Sequence, residues 1–204
     1  MTLVITDEAI PYLTVQRGAI HDLRLDRAAW TEAYLASIEK DFASMRPWLP
    51  ERCNALLDVG SGLGGIDARL NQHYGGDVAV TLLDGIADPP IVESHSQPFN
   101  DMGVAERFLR ANGVRVFDSY GPELGEPRLF DLIISIASWC FHFPPSTFLA
   151  FISACCHRET VLIIDVRRDK PEWLVELSEG MRARRPIAVN FARKFVRYAF
   201  LADA

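Results

Sequence analysis

Apolar positions along the chain follow two periods. Between residues 27 and 46, Trp30, Tyr34, Ile38, Phe42 and Met45 recur at three- and four-residue steps. That is the stripe of an amphipathic helix, and Pro47-Trp48-Leu49-Pro50 ends it. Ala55-Leu56-Leu57-Asp58-Val59 is a short apolar run leading into glycines, and it predicts a parallel strand buried on both faces. Helices are then predicted at 64–74, 101–111 and 146–156, and strands at 78–83, 114–117, 131–136 and 161–165. Gly75-Gly76 breaks the first of these helices and Asn112-Gly113 stops the second. Pro171 suits the first turn of a helix carrying Trp173, Leu174, Leu177 and Met181, and the segments 187–189 and 195–201 read as a final strand pair. Strands alternating with helices predict an α/β fold, a doubly wound sheet with helices on both faces. A helical N-terminal extension, residues 1–52, precedes the main domain, 53–204.

Composition narrows the classes. With 204 residues, 49% of them hydrophobic, the chain has enough apolar mass for a single core and is neither disordered nor fibrous. A net charge of −6 argues against binding to duplex nucleic acid, which needs many cations on phosphates, although a local basic patch stays open. The opening residues Met1-Thr2-Leu3-Val4-Ile5-Thr6-Asp7 do not read as a signal peptide. The most apolar long stretch, 129–156, is interrupted by Asp131, His142 and Pro144-Pro145, so no membrane span is expected. Cys53, Cys140, Cys155 and Cys156 form no C-x-x-C pair, so neither disulfides nor zinc is expected, and a cytoplasmic setting is. The oligomeric state is not legible.

The most informative segment is Asp58-Val59-Gly60-Ser61-Gly62-Leu63-Gly64-Gly65, between a predicted strand and a predicted helix. Glycines are needed where the chain turns sharply and a ligand approaches the backbone, and the helix start offers unpaired N–H groups. Two patterns fit. Gly60, Gly62 and Gly65 satisfy the dinucleotide spacing G-x-G-x-x-G, whereas Asp58, Gly60, Gly62 and Gly64 satisfy D-x-G-x-G-x-G. The next strand ends in Leu82-Leu83-Asp84-Gly85, and a carboxylate there can bind both hydroxyls of a ribose in either case.

The second pattern resembles the first motif of class I S-adenosylmethionine-dependent methyltransferases. Phe130-Asp131-Leu132-Ile133-Ile134-Ser135 is similar to the segment that opens the fourth strand in that family. More than 50 residues precede the glycine strand and about 140 follow it, which suits one such sheet and leaves no second substrate domain. The resemblance covers roughly residues 53–168. It implies a mostly parallel seven-stranded sheet in the order 3-2-1-4-5-7-6 and S-adenosylmethionine as cofactor. Gly60, Ser61, Gly62 and Gly64 would then meet the methionine part, and Asp58 would orient the loop or reach the cofactor's amino group through water. Asp84 would hold the ribose, with Gly85 and Ile86 beside the adenine. Asp118, in Val116-Phe117-Asp118-Ser119, resembles the acid after the third strand that accepts from the adenine amino group, although an aspartate before Gly121-Pro122 also serves as a turn former. Ser135 and Ile136 would lie under the reacting methyl.

Methyl transfer requires a nucleophile aligned with a sulfonium methyl and, for a hydroxyl, an acceptor for its proton. The substrate belongs beyond the strand ends, near Ser138-Trp139-Cys140-Phe141-His142-Phe143-Pro144-Pro145, read here as an aromatic connecting loop. In one reading Ser138, Trp139, Phe141 and Phe143 wall a pocket and His142 is the catalytic base. In the other the aromatics cover the core edge and His142 is an ordinary surface histidine. His95 is a lesser candidate base. The signature [DN]-P-P-[FYW] is absent at 135–138, no Pro-Cys nucleophile is present, and Cys140 reads as a small apolar residue. No metal is expected, because Asp165 and Asp169 near the fifth strand lack a carboxylate partner after the fourth. Arg182, Arg184 and Arg185 are read as closing a helix dipole, with anchoring of an anionic substrate group as the alternative. The function expected is O-methylation of a small molecule such as a sugar, on a loose similarity of residues 138–144 to proteins regarded as sugar O-methyltransferases. The rivals are an NAD(P)-dependent oxidoreductase on the same loop and a non-catalytic S-adenosylmethionine-binding protein.

Overall fold

The computed structural model describes residues 3–13, 26–84, 101–121, 124–181 and 184–202. Its helices are α1 (Ile10–Leu13), α2 (Arg27–Met45), α3 (Gly65–His73), α4 (Met102–Ala111), α5 (Leu149–Ala154) and α6 (Pro171–Gly180). Its strands are β1 (Ala55–Val59), β2 (Ala79–Leu83), β3 (Arg115–Tyr120), β4 (Phe130–Ser135), β5 (Ser138–Phe143), β6 (Cys156–Arg167), β7 (Arg184–Phe191) and β8 (Phe195–Ala202). Seven strands form one sheet in the order β3-β2-β1-β4-β6-β8-β7. Set β5 aside, number the sheet strands along the chain, and this is the expected order 3-2-1-4-5-7-6. Contacts divide the chain into two units, Met1–Ala43 with Ser61–Pro122, and Ser44–Gly60 with Glu123–Ala204.

In the first unit α2 buries Tyr34, Ile38 and Phe42, the predicted stripe, and Arg69 stacks its guanidinium 3.6 Å over the Phe42 ring while pairing with Glu39 at 3.0 Å. β2 and β3 are parallel, with a register shift between Val80 and Thr81. α4 starts where it does because the Asp101 carboxylate caps it, accepting from the Val104 N–H at 3.0 Å. It stops at Asn112, whose amide donates back to the Phe108 carbonyl at 2.8 Å, and at Gly113, whose φ of +72° no helical residue shares.

In the second unit β1, β4 and β6 are parallel, and β8 and β7 continue the sheet antiparallel. Leu56, Leu57, Leu132, Ile133, Ile134, Leu162, Ile163 and Ile164 are all fully buried. Those unbroken apolar runs are the mark of strands covered on both faces. The Asp131 carboxylate accepts from the N–H groups of Asn54 (2.7 Å) and Ala55 (3.0 Å), which fixes the entry to β1.

Four expectations are corrected. Residues 138–143 form strand β5 rather than a loop: this β-prone aromatic run buries Trp139 and Cys140 and leaves His142 and Phe143 exposed. β3 runs on to Tyr120, so Asp118 lies within the strand and not after it. The helix expected at 146–156 is only Leu149–Ala154, because buried Pro145 opens a separate 3-10 turn, Pro145–Thr147, and Cys156 already belongs to β6. Arg184 and Arg185 stand in β7, not at a helix end; Arg184 donates to the carbonyls of Thr160 (3.0 Å) and His157, tying β7 to β6.

Candidate functional site

The segment after β1 turns through three left-handed glycines, with φ of +80° at Gly60, +55° at Gly62 and +76° at Gly64. An L side chain reaches that region only at a cost, so the alternating glycines answer to backbone geometry. Gly64 is the N-cap of α3, and a Cβ there would lie 2.8 Å from Leu109 of α4. A Cβ on Gly65, the first residue of α3, would meet the Tyr34 hydroxyl at 2.2 Å, so α2 packs down onto the helix start.

In the first unit the loop and the acid that ends β2 come together. The Gly62 N–H donates to Asp84 Oδ2 at 2.7 Å, and the Asp84 N–H is held by the Tyr120 carbonyl at 3.1 Å. The carboxylate therefore faces the glycine backbone. Ser61 is 8% exposed, and its Oγ has no hydrogen-bond partner among the described residues. A buried hydroxyl costs free energy unless a partner satisfies it, and a ligand's polar atom would do so. Asp67, missed in the sequence reading, is wholly buried in the first turn of α3, where the helix dipole favours a negative charge. Its place three residues into a helix that follows a glycine loop is the signal that could have found it. Asp118 pairs in register with Thr81, two positions short of the strand end, and accepts from the Ser119 N–H at 2.9 Å. Gly85, Ile86 and His95 lie outside the described residues.

In the second unit Asp58 is 2% exposed in β1, in register with Ile134. A Cβ on Gly60 would sit 1.7 Å from Ser138 Oγ and 2.1 Å from Ser138 Cβ, so Ser138 rests directly on the first glycine. Ser135 is fully buried: its hydroxyl donates to the Val59 carbonyl at 2.8 Å and accepts from the Trp139 N–H at 2.9 Å. Ile136 next to it is half-buried. The turn between β4 and β5 is strained, with non-glycine residues at positive φ at Ala137 (+53°) and, inside β5, at Cys140 (+61°).

Trp139, read from the sequence as a pocket wall, is instead core: it is fully buried and its indole N–H donates to the Pro145 carbonyl at 3.1 Å. Phe141 is half-buried, edge-on to Phe195 at 6.1 Å with the Arg167 guanidinium 6.0 Å from its ring centre. His142 is exposed between the rings of Phe141 and Phe143, and Phe143 is 51% exposed. Desolvation by its neighbours holds the His142 ring below the usual histidine range, and the positive charge of Arg167 adds to this. Burial pushes the Cys140 thiol far up, so it carries no thiolate. A groove of about 700 Å³ along α2, lined by Ala28, Thr31, Leu35 and Ala36, contains none of these residues.

The sequence reading also missed a buried ion pair. Asp165 at the end of β6 and Arg197 of β8 are cross-strand partners, both fully buried, joined at 2.6 and 2.9 Å. An acid within the apolar run Val161–Val166 and a base as the one charge of β8 are the signal that could have paired them.

No family model and no curated protein matches the sequence. Solved structures do match in fold. One is a SAM-dependent methyltransferase from Aquifex aeolicus, 17% identical, TM-score 0.55, covering 83% of this chain and 98% of that one. Another is a TehB-like SAM-dependent methyltransferase from Corynebacterium glutamicum, 16% identical, TM-score 0.52, covering 86% of this chain and all of that one. A third is an O-methyltransferase family 2 protein from Planctomyces limnophilus in complex with apigenin, 13% identical, TM-score 0.55, covering 90% of this chain and 64% of that one. At these identities the likeness shows the fold: the mostly parallel, class I methyltransferase-like sheet.

Proposed function

We propose that this chain is an S-adenosylmethionine-dependent methyltransferase that methylates an oxygen of a small molecule. The observation that carries this is the hydrogen bond from the Gly62 N–H to Asp84: it joins, at one point, the loop and the acid that the reading assigns to the two ends of the cofactor. In this reading Gly60, Ser61, Gly62 and Gly64 would cradle the methionine part, and the Ser61 hydroxyl would find there the partner it lacks among the described residues. Asp84 accepts from the ribose hydroxyls, with Gly85 and Ile86 beside the base. Asp58 and Ser135 act at one remove, because both side chains are buried and Ser135 is bonded to Val59 and Trp139. Ile136, with Ser135, would lie under the reacting methyl, and Asp118 would be a weaker adenine partner because its carboxylate is bonded locally.

The cofactor supplies an electrophilic methyl and a sulfur leaving group, so the chain has to place the acceptor and remove its proton. His142 accepts the hydroxyl proton on a ring nitrogen. Its lowered pKa keeps the ring neutral near pH 7, the form a base requires. Phe141 and Phe143 offer flat apolar surface on either side, and Ser138 marks the edge nearest the glycine loop. The O-linked acceptor is supported by His142 and by the likeness to a small-molecule O-methyltransferase fold.

The oxidoreductase rival fits the topology less well. A dinucleotide fold continues its order as 4-5-6 in parallel, whereas here an antiparallel strand, β8, stands between β6 and β7. Isothermal titration separates them. S-adenosylhomocysteine binding in the micromolar range without NAD(H) binding is the expected result, and the reverse overturns the proposal.

A further inference from the structure

We infer that the buried Asp165–Arg197 pair is a positioning device for the cofactor floor. It fixes the strained turn between β4 and β5 and, through it, the seat of Ser138 on Gly60. The claim about cofactor affinity rests on the function proposed above; the claim about the turn does not.

The argument begins at Ala137. Its φ of +53° turns the chain sharply out of β4, and its N–H donates to Asp165 Oδ2 at 3.1 Å. The N–H of this half-buried turn residue takes as its acceptor a fully buried carboxylate. That charge in turn demands a partner. Arg197 provides it two-pronged, Nε to Oδ1 at 2.6 Å and Nη2 to Oδ2 at 2.9 Å. The remaining Nη1 donates to Ser44 Oγ at 2.7 Å in the last turn of α2. Each group is thus present because the one before it has to be satisfied, and the chain of demands starts at the turn.

Stability alone does not account for such a pair, since buried ion pairs exchange for well-packed apolar residues at little or no loss. What an apolar pair cannot do is accept the Ala137 N–H. Two residues along, the Ser135 hydroxyl takes the Trp139 N–H, so the turn is gripped on both sides and Ser138 between them is delivered onto Gly60. Asp165 and Arg197 touch no ligand in this scheme; they act through Ala137 and Ser138.

The test is the double variant Asp165→Leu with Arg197→Met, read by thermal melting, by hydrogen exchange of the peptide spanning residues 135–140, and by titration with S-adenosylhomocysteine. A positioning role predicts a melting temperature close to that of the parent, faster exchange confined to that peptide, and affinity about tenfold weaker or worse. Unchanged exchange there overturns the inference, as does parental affinity. Where the double variant fails to fold, Asp165→Asn replaces it: it keeps the volume but removes the charge, and its NH2 must face either Arg197 Nε or the Ala137 N–H, both of them donors. The same two readouts decide, and an intermediate loss is expected. If the parent itself binds no S-adenosylhomocysteine, the proposed function fails and the exchange measurement still decides the role of the pair.

Discussion

Replacing Gly60 by alanine isolates the point where the glycine loop meets the turn after β4. The new Cβ would stand 2.1 Å from Ser138 Cβ, and an ordinary contact begins near 3.4 Å, so the two must separate by about 1.3 Å. Rotating the Ser138 hydroxyl away does not help, because Cβ moves only with its backbone. That backbone is held on one side by the Trp139 N–H on Ser135 Oγ and on the other by the Ala137 N–H on Asp165. Overpacking of this kind costs about 1–3 kcal/mol. A non-glycine residue at φ of +80° adds about 1–2 kcal/mol, giving roughly 2–5 kcal/mol in all. The two parts separate in a double-mutant cycle. Gly60→Ala with Ser138→Gly relieves the overpacking and keeps the backbone strain, so the coupling energy should be about 1–3 kcal/mol in the sense of rescue. Urea denaturation followed by circular dichroism measures all four proteins. A cost below about 1 kcal/mol for Gly60→Ala, or a cycle with no coupling, would falsify the geometry described here.

Asp84→Ala removes the acceptor of the Gly62 N–H and, in the proposed function, of the ribose; hydrogen bonds to a charged group are worth about 1.5–3 kcal/mol, so calorimetry should show S-adenosylhomocysteine binding roughly 10–100-fold weaker. For His142, the basic form is the active one, so kcat/KM should rise with pH along a limb whose midpoint lies below the usual histidine value of about 6.5, and Arg167→Met should move that midpoint to higher pH; a flat profile with an active His142→Gln variant removes the base. The same depressed pKa contributes stability that is present above the unfolded value of about 6.5 and is lost as pH falls through the folded one, a loss visible in denaturation midpoints. Burial pushes the Cys53 thiol up to about 12 and the Cys140 thiol higher still, so iodoacetamide at pH 8 should label neither in the native protein and both in denaturant, as peptide mass spectrometry will show.

What the sequence made legible has a physical boundary. Elements whose side chains meet their neighbours at a fixed local period were readable: the Tyr34, Ile38, Phe42 face of α2, the doubly buried run of β1, and α4 between its Asp101 cap and Gly113. The strand order was legible through the family resemblance. β5 was not, because the in–out alternation fails where Trp139 and Cys140 are buried in succession across a left-handed residue. Without tertiary coordinates nothing in Ser138-Trp139-Cys140 announces that kink. The outcome matters for the site, since the kink turns Trp139 inward and leaves His142 and Phe143 facing out. β3 was cut short for a related reason: Asp118 and Ser119 are poor strand formers, and their pairing with Thr81 and Leu82 comes through a register shift that only the partner strand supplies.

The glycine motif itself shows how a local pattern can be right while concealing its cause. Gly60 reads as a residue that lets a ligand approach the backbone, yet the structure finds another reason at the same place: Ser138, 78 residues on, fills the space a side chain would take. Gly64 likewise lies against Leu109 and Gly65 against Tyr34. Each glycine therefore answers to a packing partner as well as to a turn, and the loop has little freedom to open by itself. A loop so constrained is suited to hold donors and acceptors in place before a ligand arrives, which lowers the ordering cost of binding. In the proposed function the buried Ser61 hydroxyl and the Asp84 carboxylate, which holds the Gly62 N–H, would then be specificity features. It follows that substitutions at Leu109 or Tyr34 which only loosen the loop should weaken cofactor binding without touching the cofactor.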